Sequence, residues 1–187
     1  MEPRAPEGAD DVILNPPALK SGERLCSACG MCCNGVLFHG MAVQPEDSLR
    51  AMAAKGLKAK RRDGELQFLQ PCPAHDGNRC RIYAERPQRC RVFACRQLEG
   101  VFHGEILESA AIGKIQEARR LSDRVRELLE KLGDDRKTRP LATRCAGVFT
   151  PPLDPSPQAD ALRQELRGAM TALEEMLEKN FRIRPAG

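Results

Sequence analysis

Two long segments in the second half of the chain carry apolar residues at helical spacing. Across residues 105–132 apolar side chains recur every three to five positions, and Gly133 is well placed to end that helix. A second helix is predicted with Ser156 as its N-cap and Pro157 at its first position. Its apolar stripe consists of Leu162, Leu166, Met170, Leu173, Leu177 and Phe181. We expect the two stripes to pack on each other or on the first half of the chain.

The first half has shorter and less regular patterns. Residues 36–38 and 41–43 predict a short strand that is broken at Gly40. Pro45 is typical of the first position of a helix, and Gly56 is typical of the residue that follows a helix. We therefore expect a helix between these two positions.

Further along, the dipeptide Asp63-Gly64 is typical of a hairpin turn, and residues 66–69 predict a strand after it. Residues 80–83 and 90–93 are compatible with either short strands or single helical turns. Together these patterns predict an α+β fold that is mainly helical. An irregular, cysteine-rich half with short strands is expected to pack against two long C-terminal helices.

The length of 187 residues corresponds to about one domain. We expect residues 1–24 to form a flexible N-terminal arm in which Pro16 and Pro17 stop any helix. Residues 25–100 would form a cysteine-cluster region, and residues 101–187 a helical region that completes the same domain. Residues 134–155 are expected to be a linker between the long helices.

Composition and charge narrow the class of protein. Hydrophobic residues make up 41% and charged residues 30%, as in a soluble globular protein. No apolar run approaches the roughly 20 residues that span a bilayer, and the N-terminal segment has no apolar core of a secretory signal. We therefore expect a cytoplasmic protein without membrane contact. The net charge of +4 and the basic run at residues 55–62, which lacks aromatics, make nucleic acid an unexpected partner.

The chain contains an unusual number of cysteines. They are Cys26, Cys29, Cys32, Cys33, Cys72, Cys80, Cys90, Cys95 and Cys145. In a reducing compartment, dense cysteine indicates metal or redox chemistry rather than disulfides. Thiolates are soft ligands that suit zinc, copper(I) and iron–sulfur clusters.

The first cluster, CSACGMCC, has two-residue spacers that direct Cys26, Cys29 and Cys32 toward one centre. Because neighbours rarely ligate one tetrahedral ion without strain, we expect Cys32 and Cys33 to serve different metals, or one of them to support the other. A vicinal disulfide is the alternative. The same run begins the bacterial ferredoxin pattern, in which a remote cysteine followed by proline completes the set, as in Cys72-Pro73.

The second cluster has wider spacings than a zinc ribbon. Joined to the first, it brings the number of clustered thiols to eight, enough for two centres with four cysteines each. Six nearby cations are expected to stabilise thiolates: Arg79, Arg81, Arg86, Arg89, Arg91 and Arg96. His75 is an alternative ligand within this cluster, whereas Cys145 lies outside both clusters and is expected to be a small buried residue.

The segments CSACGMCC and CPAHDGNRCRIYAERPQRCRVFAC together resemble the YkgJ-type cysteine cluster family, also described as the CxxCxxCC zinc- or iron-chelating domain. The resemblance spans residues 24–96. It implies that the metal ligands are Cys26, Cys29, Cys32, Cys33, Cys72, Cys80, Cys90 and Cys95. A relative, the considerably longer flagellin lysine methylase, contains a similar cysteine domain that is thought to depend on iron–sulfur chemistry.

The sequence thus predicts a protein that binds zinc or iron, with metal at least partly structural. The cofactor alternatives include a 4Fe–4S cluster, and the functional alternative is an iron–sulfur-dependent enzyme or redox protein related to protein lysine methylases. Metal ions are the expected partners, and a protein partner is left open. No nucleotide-binding or hydrolase motif is present, so the sequence does not decide whether the protein is an enzyme.

Overall fold

The computed structural model describes residues 16–77, 79–151 and 154–183. Its helices are α1 (Pro16–Cys29), α2 (Leu49–Ala54), α3 (Gln88–Val92), α4 (Arg96–Phe102), α5 (Glu108–Lys131), α6 (Leu141–Gly147) and α7 (Pro157–Asn180). Its strands are β1 (Gly40–Ala42), β2 (Ala59–Arg62), β3 (Glu65–Leu69), β4 (His75–Asp76) and β5 (Arg79–Cys80). The predicted α+β, mainly helical class is confirmed.

The main core lies between the two long helices α5 and α7. Their apolar stripes face each other, and residues such as Val125, Leu128 and Leu166 are fully buried there. The start of α7 is also confirmed, because the Ser156 hydroxyl accepts a hydrogen bond from the amide of Ala159 at 3.3 Å. The two helices thus form the framework on which the rest of the chain packs.

Helix α1 lies against α5 and α4 at one side of this core. The guanidinium of Arg24 donates to both carboxylate oxygens of Glu108, at 2.8 and 2.7 Å. Residues 16–24 therefore belong to a helix rather than to the expected arm, and Pro16 begins α1 instead of preventing it, because proline is tolerated in a first helical turn. The remainder of the expected arm, residues 1–15, lies outside the described residues.

A small antiparallel sheet with the strand order β1-β3-β2 covers a second core of Met52, Leu57, Phe68 and Ala74. The predicted turn between β2 and β3 is present, with positive φ at Asp63 and Gly64. Lysine and arginine side chains on the edge strand β2 discourage pairing with another chain. The strand expected over residues 36–38 is absent, because that segment turns its apolar side chains into the main core.

Two other expectations about local structure are corrected. Helix α2 begins at Leu49 rather than at Pro45, because the hydroxyl of Ser48 caps it by accepting from the amide of Ala51 at 3.2 Å. The segment 134–155, expected to be a linker, contains α6, which is too short for its periodicity to identify it. Within the described ranges, no helix has both the length and the apolar character that crossing a bilayer requires.

A buried ion-pair cluster connects the end of α5 with α6. The carboxylate of Asp134 is fully buried and accepts from Nε of Arg144 at 2.7 Å and from the guanidinium of Arg136. Burial alone would raise the pKa of Asp134, but hydrogen bonds from the two arginines outweigh it and hold the pKa below its ordinary value. This ionised carboxylate therefore stabilises the fold at neutral pH.

We expect Asp134→Asn to lower the free energy of unfolding by about 3–5 kcal/mol, because two guanidinium groups lose their shared counter-charge. Asp135→Asn, at an exposed neighbour, should change it by less than about 0.5 kcal/mol. Because the pKa of Asp134 is lowered, its contribution is present above the ordinary value of 3.8 and is lost as the pH falls through the lowered pKa. Urea unfolding at pH 7 and in acid measures both effects, and similar small losses in the two variants would contradict the account.

Candidate metal centre

The structure brings the two cysteine-rich segments together. Cys29 ends α1, and Gly30 then turns the chain with φ of +68°. The carbonyl of Gly30 accepts from the amide of Cys33 at 2.9 Å, which closes a tight turn. The amide of Cys72 donates to the carbonyl of Cys33 at 2.7 Å. This hydrogen bond joins the start of the second cluster directly to the end of the first.

Three short elements position the remaining thiols. Cys80 lies on β5 opposite His75 on β4, Cys90 lies on α3, and Cys95 is the N-cap residue of α4. The rings of Phe38 and Phe93 pack edge to face with centroids 5.0 Å apart. This pair holds the segment between Cys90 and Cys95 against the segment that follows the first cluster.

The first group of thiols consists of Cys26, Cys29, Cys32 and Cys95, and we refer to it as the first quartet. Burial is the main cause that raises the pKa of Cys26, Cys29 and Cys32, and the negative charge of other quartet members raises it further. The negative charge of Cys95 raises the pKa of all three of these thiols. The helix end of the first segment and the N-cap of α4 therefore share one cluster of sulfur atoms.

The second group consists of Cys33, Cys72, Cys80 and Cys90, and we refer to it as the second quartet. Burial again comes first in raising the pKa of Cys33 and Cys90, followed by the charges of other members, Cys72 and Cys80 among them. The pKa of Cys72 is raised by burial and by Cys80. Within the second quartet, the charges of Cys72 and Cys80 therefore act on both Cys33 and Cys90. The charge of Cys33 also raises the pKa of Cys32, and that of Cys26 raises the pKa of Cys33, so the two quartets lie next to each other.

The division between the quartets separates the adjacent residues Cys32 and Cys33. It supports the expectation that they serve different metals, which stays a prediction. Both residues are free thiols, so no vicinal disulfide is present. The division also differs from the ferredoxin parallel, because the first three cysteines of the run are joined by Cys95 and not by Cys72.

The protonation of these thiols follows from their surroundings. The pKa of Cys26 rises to about 11 although part of this side chain is exposed, and the pKa of Cys29 rises to about 12, chiefly because the packed chain desolvates them. In the second quartet the values are about 12 for Cys33 and about 11 for Cys90. Without metal these four thiols are therefore protonated at neutral pH, and a metal ion that binds them must displace protons.

Positive charges near the thiols lower the pKa values that burial raises. Arg86 lowers the pKa of both Cys26 and Cys90, so one guanidinium acts on both quartets. It is held by stacking on the ring of Tyr83 at 3.6 Å from the centroid, and its Nε donates to the Tyr83 carbonyl at 2.8 Å. Arg86 is therefore placed to compensate negative charge on the thiolates of either quartet.

Sequence reasoning missed one of the cations. Arg119 on α5 lowers the pKa of Cys29 and anchors α1 by donating to the carbonyl of Ala28 at 2.7 Å. It lies far from both clusters in sequence and within an ordinary amphipathic helix, so no local pattern identifies it. Among the six predicted cations, four donate to backbone carbonyls, which gives them a structural role: Arg81, Arg86, Arg91 and Arg96.

Backbone amides also lower the pKa of three clustered thiols, among them Cys29 through the amide of Met31. Burial raises the pKa of Cys95, and the amides of Leu98 and Gln97 at the start of α4 oppose the shift. Burial likewise raises the pKa of Cys72, against the amides of Ala74 and His75. Each quartet thus contains at least one thiol at a place where backbone dipoles favour its ionised form.

The imidazole of His75 is placed between the two segments. Its Nε2 is buried and has no hydrogen-bond partner among the described residues. It lies against Gly30, where a Cβ atom would be 2.8 Å from Nε2. Burial lowers the pKa of His75, so this side chain is neutral at pH 7. His75 therefore packs at the junction of the segments, and its role as an alternative ligand stays a prediction.

Cys145 lies in α6 and is fully buried in the main core. Its pKa is raised to about 11, first by burial, and the charges that act on it include Arg144 and Asp134 rather than the clustered thiols. This position matches the expectation of a small buried residue.

The donor set of each quartet suits a soft metal, because four thiols match the cysteine-only sites of zinc and of iron–sulfur clusters. Among the described residues, no group of three or more Cys, His, Asp or Glu side chains is already arranged so that it could hold a metal ion. For a metal ion to bind at either quartet, the sulfur atoms would therefore have to move closer to each other.

Comparison with known proteins gives one family. A family model described as "CxxCxxCC: Putative zinc- or iron-chelating domain" matches residues 25–120, just over half of the chain. The matched region includes all eight clustered cysteines and part of α5, and it ends before Cys145. No curated protein and no solved structure gives a significant match.

We expect Gly30→Ala to destabilise the protein more than Gly64→Ala. Both glycines have positive φ, +68° and +81°, so both alanines carry the backbone cost of about 1–2 kcal/mol. Only at Gly30 does the new Cβ meet the imidazole of His75, because nothing lies within 4 Å of a Cβ at Gly64. Urea unfolding should show an additional loss of about 1–3 kcal/mol for Gly30→Ala.

A double variant tests the cause of this difference. Adding His75→Ala to Gly30→Ala should remove most of the additional loss, because the contact no longer exists. If the two glycine variants lose the same free energy, or if His75→Ala brings no recovery, the packing of His75 on Gly30 is not what the turn requires.

Proposed function

Since the chain belongs to the CxxCxxCC family of zinc- or iron-chelating domains, we propose that its eight clustered cysteines bind metal in two centres, one at each quartet. The observation that carries this proposal is the meeting of the two segments, which the hydrogen bond from the Cys72 amide to the Cys33 carbonyl joins at 2.7 Å. The charge of Cys95 accordingly acts on the first three thiols of the other segment, and those of Cys72 and Cys80 act on Cys33. The free thiols of the described chain support a reducing location such as the cytoplasm.

Charge balance supports ionised ligands at both centres. Four thiolates around one Zn²⁺, or around one oxidised four-iron cluster, carry a net charge of about −2. Arg86 lowers the pKa of a thiol in each quartet. Arg119 does so in the first quartet, and Arg81 does so in the second. These guanidinium groups would offset the negative charge that metal binding concentrates in a small, partly desolvated region.

The proposed role of the metal is at least partly structural. The sheet and the second cluster rest on a small core of four buried residues, Met52, Leu57, Phe68 and Ala74. Several elements that carry ligands are only two to seven residues long, which is too short to be stable alone. Metal bound by thiols from α1, β5, α3 and α4 would tie these elements to each other.

An iron–sulfur enzyme or redox protein is the second candidate. It is supported by the Cys-x₂-Cys-x₂-Cys run at the end of α1, with Cys95 as the fourth thiol of that quartet. Visible and electron paramagnetic resonance spectra of protein purified without oxygen distinguish the two candidates. A colourless protein with stoichiometric zinc would exclude this second function, whereas broad visible absorption with an iron signal would favour it.

We expect Cys32→Ser and Cys33→Ser each to remove one of two metal centres, because the two thiols belong to different quartets. The double variant should lose both centres, and Cys145→Ser should lose neither. Metal content per chain, measured by mass spectrometry after anaerobic purification, tests this division. Circular dichroism at 222 nm checks that each variant keeps its helices.

The division would be contradicted if Cys32→Ser and Cys33→Ser removed the same centre, so that the double variant lost no more metal than either single variant. Loss of metal from Cys145→Ser would place a ninth thiol in the site.

Removal of metal should destabilise the cysteine-rich half more than the long helices. We expect chelation to lower the melting temperature by at least about 10 °C, which corresponds to a few kcal/mol for a chain of this length. Hydrogen exchange should accelerate across residues 26–95 and change little in the centre of α5. An unchanged melting temperature after complete metal removal would contradict a structural role.

A further inference from the structure

A groove of about 470 Å³ lies between the thiol quartets, α5 and the segment that follows α5. Cys29 of the first quartet and Cys72 of the second line one side of it, next to His75. Arg119 and Arg126 of α5 line another side. The volume lies within the range of pockets that bind small molecules.

The lining of this groove is strongly basic. Its cations are Arg119, Arg126, Lys137, Arg139 and Arg144, and its carboxylates are Asp123 and Glu130. Asp123 is paired with Arg126 at 2.7 Å, and Glu130 is paired with Lys137 at 3.0 Å. Both acidic groups are therefore already neutralised. Of the other three cations, Arg144 is paired with Asp134 and Arg119 acts on Cys29, which leaves Arg139 without an ion-pair partner among the described residues.

Two of the lining side chains carry buried polar atoms for which the described residues provide no hydrogen-bond partner. The side chain of Arg144 is 6% exposed, and its Nη2 has no hydrogen-bond partner among the described residues. The carboxylate with which it pairs, Asp134, is shared with Arg136, so this group of three side chains keeps a net positive charge. His75 Nε2 is the second such atom. Leaving buried polar groups unmatched is costly, which indicates a site that a ligand completes.

We propose that this groove binds a small molecule that carries a phosphate or carboxylate group. Arg139 is exposed, and its side chain has no hydrogen-bond or ion-pair partner within the described ranges. Its guanidinium, with that of Arg119, offers the planar donor geometry that suits such oxyanions. An anion in the groove would also balance the charge of Arg144. None of these cations is a proposed metal ligand, so a loss of anion binding in a cation variant is distinguishable from a loss of metal.

Calorimetric titration of the full chain with its bound metal tests the proposal, with inorganic phosphate and succinate as probes. We expect one of them to bind at one site per chain with a Kd below about 1 mM at physiological salt. Tighter binding of phosphate would identify a phosphate-bearing ligand, and tighter binding of succinate a carboxylate-bearing one. If neither probe binds, the proposal is overturned.

A matched pair of variants distinguishes specific binding in the groove from general electrostatic attraction of anions to a basic surface. Arg139→Gln should weaken binding of the preferred probe by about tenfold or more, as expected for a lost charge-assisted hydrogen bond. Arg120→Gln removes an exposed cation of α5 that does not line the groove, and it should weaken binding by less than about twofold. Equal effects of the two variants would overturn the proposal. Both positions are exposed, so neither variant threatens the fold.

Discussion

The first half of this protein depends on the convergence of thiol groups from two segments, residues 26–33 and 72–95. The hydrogen bond between the Cys72 amide and the Cys33 carbonyl and the packing of Phe38 on Phe93 hold these segments side by side. The convergence has an electrostatic cost, because desolvation and mutual repulsion oppose ionisation of the thiols. In the proposed function, a metal ion or cluster bound by these thiols would make the same arrangement stabilising.

The scaffold for this arrangement is the pair of long helices. Helix α5 packs on α7 through a continuous apolar core, and α1 and α4 lie against α5. Helix α1 therefore presents its last turn, with Cys26 and Cys29, at a fixed place. Helix α4 presents Cys95 at its N-terminus beside them. The large core thus positions the first quartet, whereas the second quartet rests on β5, α3 and loops around a much smaller core.

The sequence predicted the features that follow from local pattern. Helical periodicity identified α5 and α7, the Ser156-Pro157 pair identified the start of α7, and Asp63-Gly64 identified the hairpin. Cysteine spacing identified the eight thiols that the structure brings together, although it did not show how they divide between the two quartets. These signals are carried by residues close together in the chain, so composition and spacing suffice to detect them.

What could not be predicted depends on the path of the chain in space. Cys95 rather than Cys72 joins the first quartet because α4 folds back onto α1, and no spacing rule contains that contact. Arg119 reaches Cys29 only because α5 packs beside α1. Helix α6 is one to two turns long and is stabilised by the buried pair of Arg144 with Asp134 rather than by its own periodicity. Tertiary contacts therefore decide the details of the site.

The central claim is that thiols from both segments share each metal centre. A crystal structure of the metal-loaded protein, with anomalous diffraction recorded at the absorption edge of the bound metal, tests it most directly. The account predicts two separate anomalous peaks, one surrounded by sulfur atoms of residues 26, 29, 32 and 95 and the other by those of residues 33, 72, 80 and 90. Peaks whose sulfur ligands all come from a single segment would contradict it.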